Sequence, residues 1–146
     1  MKTKDILAEK GTRVITVQET LLLVDVVSMF FADRIGSVVV VNNYDEVIGI
    51  VAPNDVLKAI HHHPEYISTI TVSEIMTRNI IVVTPEDNID ELMTIMTKNR
   101  IRHLPVIDKG KLTGLVSIGD VVKAKSTIQD VEIRYLTDYI EGKYPG

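Results

Sequence analysis

One stretch of this chain is written twice. Residues 35–55, "IGSVVVVNNYDEVIGIVAPND", and residues 101–120, "IRHLPVIDKGKLTGLVSIGD", share a small or polar pair, an apolar run, a turn, a glycine, two apolar residues and a closing aspartate. An offset of 65 puts Gly49 on Gly114, Val51 on Val116, Asp55 on Asp120 and Val56 on Val121. Upstream of the loop the offset is 66, matching Leu23 to Ile89 and Ile35 to Ile101, because "NNYDEVIG" is one residue longer than "DKGKLTG". Still further back Thr16 meets Thr84 at an offset of 68. Such small length changes belong in loops, where insertions are tolerated. A duplicated unit that pairs with its copy about a pseudo-two-fold axis makes two related clefts where the copies meet.

Each copy reads as β-α-β-β-α. A β-branched run, "RVITV" or "IIVV", precedes a turn or N-cap segment, "QET" or "TPEDN", that suits a helix start. Leu23, Val26, Val27 and Phe30 in the first copy, and Ile89, Leu92, Met93 and Met96 in the second, recur at helical spacing. The strands "SVVVV" and "HLPVI" lead through "NNYDE" and "DKGK" into "VIGIVA" and "LTGLVS", and second helices open at "PNDVLKAI" and "IGDVVKAK". The stretch "HHHPEYISTITVSE" reads as a surface connector, with Pro64 ending the preceding helix. The last helix carries an apolar stripe, Val121, Ala124, Ile128, Val131, Tyr135 and Tyr139, which either folds back on its own chain or forms part of a homodimer contact.

At 146 residues the chain is long enough to bury a real core, and 45% hydrophobic with 25% charged residues is the balance of a globular protein. No apolar run approaches the roughly 20 residues that cross a bilayer, and "MKTKDILAEKG" is not a signal peptide, so a cytoplasmic protein without membrane contact is expected. Cysteine is absent, which excludes disulfides, thiolate chemistry and thiolate-bound zinc. A net charge of −4 provides no general field for nucleic acid, and the local basicity of Lys98, Arg100, Arg102 and His103 is too small for a polymer groove.

The chemistry collects where the third strand meets the second helix. Ser117 stands near a helix start, where free N–H groups and the dipole favour anions. Asp120 is an acceptor for two ribose hydroxyls, and Arg102 with His103 is placed to hold a phosphate. The same spacing also reads as plain helix capping by Ser117 and Asp120, with Arg102 and His103 as solvated edge residues.

The paired "GIVAPND" and "GLVSIGD", with "IGSVVVVN" and "IRHLPVID", resemble the two repeats of a cystathionine β-synthase (CBS) domain pair, or Bateman module, from about Ile6 to Lys125. The tail "VEIRYLTDYIEGKYPG" resembles that of small stand-alone CBS proteins of bacteria and plants. The resemblance implies an α/β (α+β) fold of two repeats, 1–66 with its lead segment and 67–126, and a helical extension over 127–146. It implies a regulatory ligand, an adenine nucleotide such as AMP or ATP, NAD or S-adenosylmethionine, with no obligatory cofactor. In the principal site Asp120 would take the ribose, Ser117 ribose or phosphate, and Arg102 and His103 the phosphate. The base would lie among Lys10, Thr12, Arg13, Val14 and Ile15, with Gly36 and Ser37 at the wall and Leu115 beneath. A weaker site would use Ile50, Asp55, Thr77, Asn79 and Ile80; there Ala52 replaces the hydroxyl residue and Pro53 removes an N–H from the helix start.

Three functions are open on this reading. The first is a homodimeric, non-catalytic sensor that signals ligand binding to an unidentified regulated protein. The second is an interaction or dimerisation scaffold with no physiological nucleotide. The third, an enzyme, lacks support, because neither a P-loop nor a nucleophile elbow is present. No metal site is expected either, since the adjacent imidazoles of His61, His62 and His63 point in different directions on a helix.

Overall fold

The computed structural model describes residues 1–140, except for the side chains of residues 130, 131, 135 and 138–140. Helix α1 (Thr3–Lys10) precedes the first repeat, which comprises β1 (Thr16–Gln18), α2 (Leu23–Ala32), β2 (Val38–Val41), β3 (Val47–Val51) and α3 (Pro53–His62). After a 3-10 turn at Pro64–Tyr66 and the short α4 (Val72–Ile75) come α5 (Ile89–Asn99), β4 (His103–Asp108), β5 (Lys111–Ser117) and α6 (Ile118–Ile140). The fold is mixed α/β, as expected. No described helix is long and apolar enough to cross a membrane.

Val38 to Val41 are buried on both faces, and β2 is the middle strand of its sheet, parallel to β1 and antiparallel to β3. The hairpin turn is closed by Asn42, whose Oδ1 accepts from the N–H groups of Tyr44 and Glu46 at 2.9 and 3.0 Å. In the second repeat the expected first strand is not formed; "IIVV" is reduced to a single parallel bridge between Val83 and Val106. The cause is Pro105. In the first repeat the Val39 N–H donates to the Ile15 carbonyl at 3.2 Å, but its counterpart Pro105 has no N–H for Ile81. Val83 stands to Val106 as Val17 stands to Val40, so the offset of 66 continues through this strand, and the match of Thr16 with Thr84 is corrected.

The helix starts also differ. Asn88 caps α5 by accepting from the Glu91 N–H at 2.9 Å, whereas "QET" is only a turn and α2 begins after Leu22 without a side-chain cap.

Two cores result, and the segments that lead into the repeats cross between them. Ile6 and Leu7 of α1 are buried with Leu92, Met96, Leu104 and Val116 of the second repeat, while Ile70, Val72 and Met76 are buried with Leu23, Val26, Val38 and Val51 of the first. The backbone repeats the exchange. Ile89 N–H donates to Met1 O at 3.1 Å and Thr3 N–H to Asp87 O at 2.8 Å; Leu23 N–H donates to Ile70 O at 2.9 Å and Val72 N–H to Leu21 O at 2.8 Å. Glycine permits the close approach in both. A Cβ on Gly114 would lie 2.6 Å from a Leu7 methyl, and one on Gly49 would collide with Met76. The reading of residues 61–74 as a surface connector is therefore corrected: His61 to Glu65 are exposed, but Ile70 and Val72 are core.

Helix α6 buries Val121 and packs Ala124 and Ile128 against the second core. Ile133 and Leu136 further along it are exposed. The stripe residues Val131, Tyr135 and Tyr139 lie outside the described side chains.

Candidate functional site

A cleft of about 470 Å³ opens between the repeats. One side is chain from the first repeat, Arg13, Val14 and Ile15 on the approach to β1 and Asp33 to Ser37 between α2 and β2, while Lys10, at the end of α1, stands with the second repeat on which α1 packs. His103, Leu115 and Ser117 of the β4–β5 hairpin form the other. His103 and Ser117 are cross-strand partners, so both side chains rise from one place on the hairpin. Gly36 lets the imidazole close on the opposite wall, where a Cβ would stand 3.0 Å from Nε2.

Nine of the residues expected at the principal site lie on this wall: Lys10, Arg13, Val14, Ile15, Gly36, Ser37, His103, Leu115 and Ser117. Thr12, Arg102 and Asp120 do not. Arg102 is exposed, preceding β4 at a position from which only the next residue, His103, turns inward. Thr12 is exposed on the loop. Asp120 sits behind Lys10, whose ammonium donates to Asp120 Oδ2 at 2.6 Å and to the Leu115 carbonyl at 2.7 Å. On the far side of Lys10 a smaller cavity of about 180 Å³ is lined by Asp120, Glu9, Lys123 and Thr127 among others.

Ser117 and Asp120 also cap α6, as the plainer reading of their spacing required. Ser117 N–H donates to Asp120 Oδ2 at 2.8 Å and Asp120 N–H to Ser117 Oγ at 3.2 Å, a reciprocal pair. The two roles are compatible, since both contacts to the carboxylate, from Lys10 and from the Ser117 backbone, converge on one oxygen. Partial burial pushes the Asp120 carboxyl up, but Lys10 and the Ser117 N–H together hold it below the usual carboxylate range. Burial pushes the His103 imidazole down, aided by the charges of Lys10 and Arg102 and opposed by Asp120, so it is neutral near pH 7.

Asp33, Arg34 and Ile35 escaped the sequence reading. They follow α2 at a position that pattern alone does not connect with the cleft. The signal is conformational: Arg34 has φ of 51°, uncommon for a residue with a side chain, and turns the chain back over the cleft.

In the first repeat, the residues expected to form a weaker site follow the same plan with different atoms. Asp55 Oδ2 accepts from the Ala52 N–H at 2.9 Å, and Oδ1 from the Thr77 hydroxyl at 2.9 Å. Thr77 is itself tied to Ile50 by backbone bonds of 2.9 and 3.1 Å in both directions. Ala52 offers no hydroxyl to return the capping bond. Asn79 is exposed and Ile80 half-buried.

Two duplicated α/β units with crossed lead segments and a polar cleft between them define a paired-repeat module. The chain belongs to the CBS domain family, whose model matches residues 4–62 and again 72–127. A CBS-domain-containing protein of Agrobacterium tumefaciens is 38% identical with a TM-score of 0.82, over 85% of this chain and 92% of that one. The mitochondrial CBS domain-containing protein CBSX3 of Arabidopsis thaliana is 37% identical over 124 residues, 82% of this chain and 60% of that protein's length. The CBS domain pair of protein MJ0100, solved in complex with 5′-methylthioadenosine and S-adenosyl-L-methionine, is 25% identical with a TM-score of 0.75, over 85% of this chain and 98% of that one.

Proposed function

We propose that the chain is a non-catalytic regulatory module that binds an adenosine-containing ligand in the cleft beside Asp120 and signals its occupancy to a partner protein. The observation that carries this reading is Ser37. It stands on the cleft wall, is 4% exposed, and its Oγ has no hydrogen-bond partner among the described residues. Leaving a buried hydroxyl unsatisfied costs about 1–3 kcal/mol, which a ligand's hydrogen bond would recover. Around it, Arg13 and Arg34 supply positive charge for phosphate and Val14, Ile15 and Leu115 supply apolar surface for a base, while Asp120, behind the Lys10 ammonium, is the ribose acceptor. The adenosine compounds bound by the MJ0100 pair support the ligand class. Within that class the positive charge favours AMP, ATP or NAD.

Binding becomes a signal only if two conformations of the module differ in ligand affinity. A homodimer is the natural frame, with the exposed Leu57 and Ile60 of α3 and Ile133 and Leu136 of α6 available to a second copy or to the regulated protein. Those same side chains favour the second reading, a scaffold without a nucleotide.

Calorimetric titration of AMP, ATP, NAD, NADH and S-adenosylmethionine into ligand-stripped protein separates the two. Saturable one-site binding of a phosphate-bearing compound is expected. Absence of heat with all five would overturn the sensor and leave the scaffold.

A further inference from the structure

The two aspartate settings use one arrangement with different parts, and Lys10 is the part that differs most. The Ile50 carbonyl and its duplicate, the Leu115 carbonyl, each accept a hydrogen bond from a residue that also donates to the neighbouring aspartate. In the first repeat that residue is Thr77: its N–H meets Ile50 O at 2.9 Å and its hydroxyl meets Asp55 Oδ1 at 2.9 Å. In the second it is Lys10: one ammonium meets Leu115 O at 2.7 Å and Asp120 Oδ2 at 2.6 Å. Thr77 is held by the backbone bridge to Ile50. Lys10 reaches its two partners through a four-carbon stem and can leave without breaking any hydrogen bond between backbone groups. Its side chain is 37% exposed and forms the partition between the 470 Å³ and 180 Å³ cavities.

We infer that Lys10 is the specificity-determining residue of the cleft, a plug on the Asp120 carboxylate that admits phosphate-bearing adenosine ligands and disfavours uncharged or cationic ones. The inference rests on the function proposed above. Because Lys10 lines both cavities and Asp120 only the smaller, a ribose that reaches Asp120 from the larger cleft displaces the ammonium. Released, Lys10 joins Arg13 and Arg34 in a cleft whose other wall charge is Asp33. A phosphate group satisfies those cations by charge-assisted hydrogen bonds. Adenosine or 5′-methylthioadenosine displaces the ammonium and gives nothing back, and the sulfonium of S-adenosylmethionine adds a like charge.

The experiment is calorimetric titration of AMP and of adenosine into the wild-type chain, Lys10→Met and Lys10→Arg, with Lys10→Gln in reserve should the methionine variant not fold. AMP is expected to bind the wild type at least about tenfold more tightly than adenosine. In Lys10→Met or Lys10→Gln adenosine should bind more tightly than to the wild type, because no ammonium competes for Asp120, and the AMP advantage should shrink several-fold. Lys10→Arg should retain the advantage. An AMP-to-adenosine ratio unchanged in the methionine or glutamine variant overturns the role of Lys10 while leaving the adenosine module intact. Failure of both compounds, and of ATP, NAD, NADH and S-adenosylmethionine with them, to bind the wild type overturns the module itself.

Discussion

Asp55 and Asp120 hold duplicate positions in one repeated sequence unit, yet their settings differ in how replaceable their contacts are. In the first, the carboxylate is held through both oxygens by a backbone N–H and by a hydroxyl on a residue that is itself bridged to β3. In the second, both contacts fall on one oxygen, and one of them is the tip of a long side chain. A scaffold can thus be duplicated while exchangeability is confined to one copy. What matters is whether a contact is made by backbone, whose loss disturbs a strand, or by a side chain that can rotate away.

The comparison breaks most forcefully at the glycines that seat the crossed segments. Gly114→Val would drive a branched side chain into Leu7 and lift α1 from β5, costing about 3 kcal/mol from lost burial and overpacking. Gly49→Val should cost a similar amount by displacing Met76. Only the Gly114 change moves Lys10, so only it should also alter ligand affinity; urea unfolding with parallel titration reads both. Equal loss of binding in the two variants would show that the clefts are not independent.

Next come the carboxylates themselves. Asp120→Asn should weaken AMP binding by about 10- to 100-fold, the worth of hydrogen bonds to a charged acceptor, while Asp55→Asn changes it by less than about threefold. The reverse order would move the principal site to the first repeat.

The smallest effect is in pH. His103 has a native pKa below its ordinary 6.5, so the unfolded chain takes up this proton at higher pH than the folded one. The stability it contributes is full above 6.5 and is lost as pH falls from there through the lower native value. An NMR titration should place the His103 midpoint below 6.5 and move it upward in Lys10→Met, where one repelling charge is gone. A midpoint unmoved by that substitution would separate His103 from Lys10 electrically.

Much of this architecture was legible because duplication lets one copy check the other. Strands β2 to β5 and helices α2, α3, α5 and α6 all carry apolar periodicity in both repeats. The crossing was not legible. Helix α1 buries only Thr3, Ile6 and Leu7, and α4 is a single turn, so neither carries enough pattern to announce a helix or say which core it joins. The missing strand before α5 was legible in principle, since Pro105 cannot donate to Ile81, but "IIVV" looked like "RVITV" when composition alone was weighed. At the site, strand alternation brought His103 inward and left Arg102 out. The wall of Asp33, Arg34 and Ile35 depends on a turn at positive φ that a run of ordinary residues does not advertise.

The crossed lead segments also govern the order in which the molecule can be completed during synthesis. Ile6 and Leu7 are translated long before Gly114, the residue against which Leu7 must settle, and the first repeat's own core waits for Ile70, Val72 and Met76. Such distant pairings carry a loop-closure cost before any contact rewards them. A nascent chain halted between the repeats holds one core without its lid and a lead segment without its seat, so neither half matures ahead of the other.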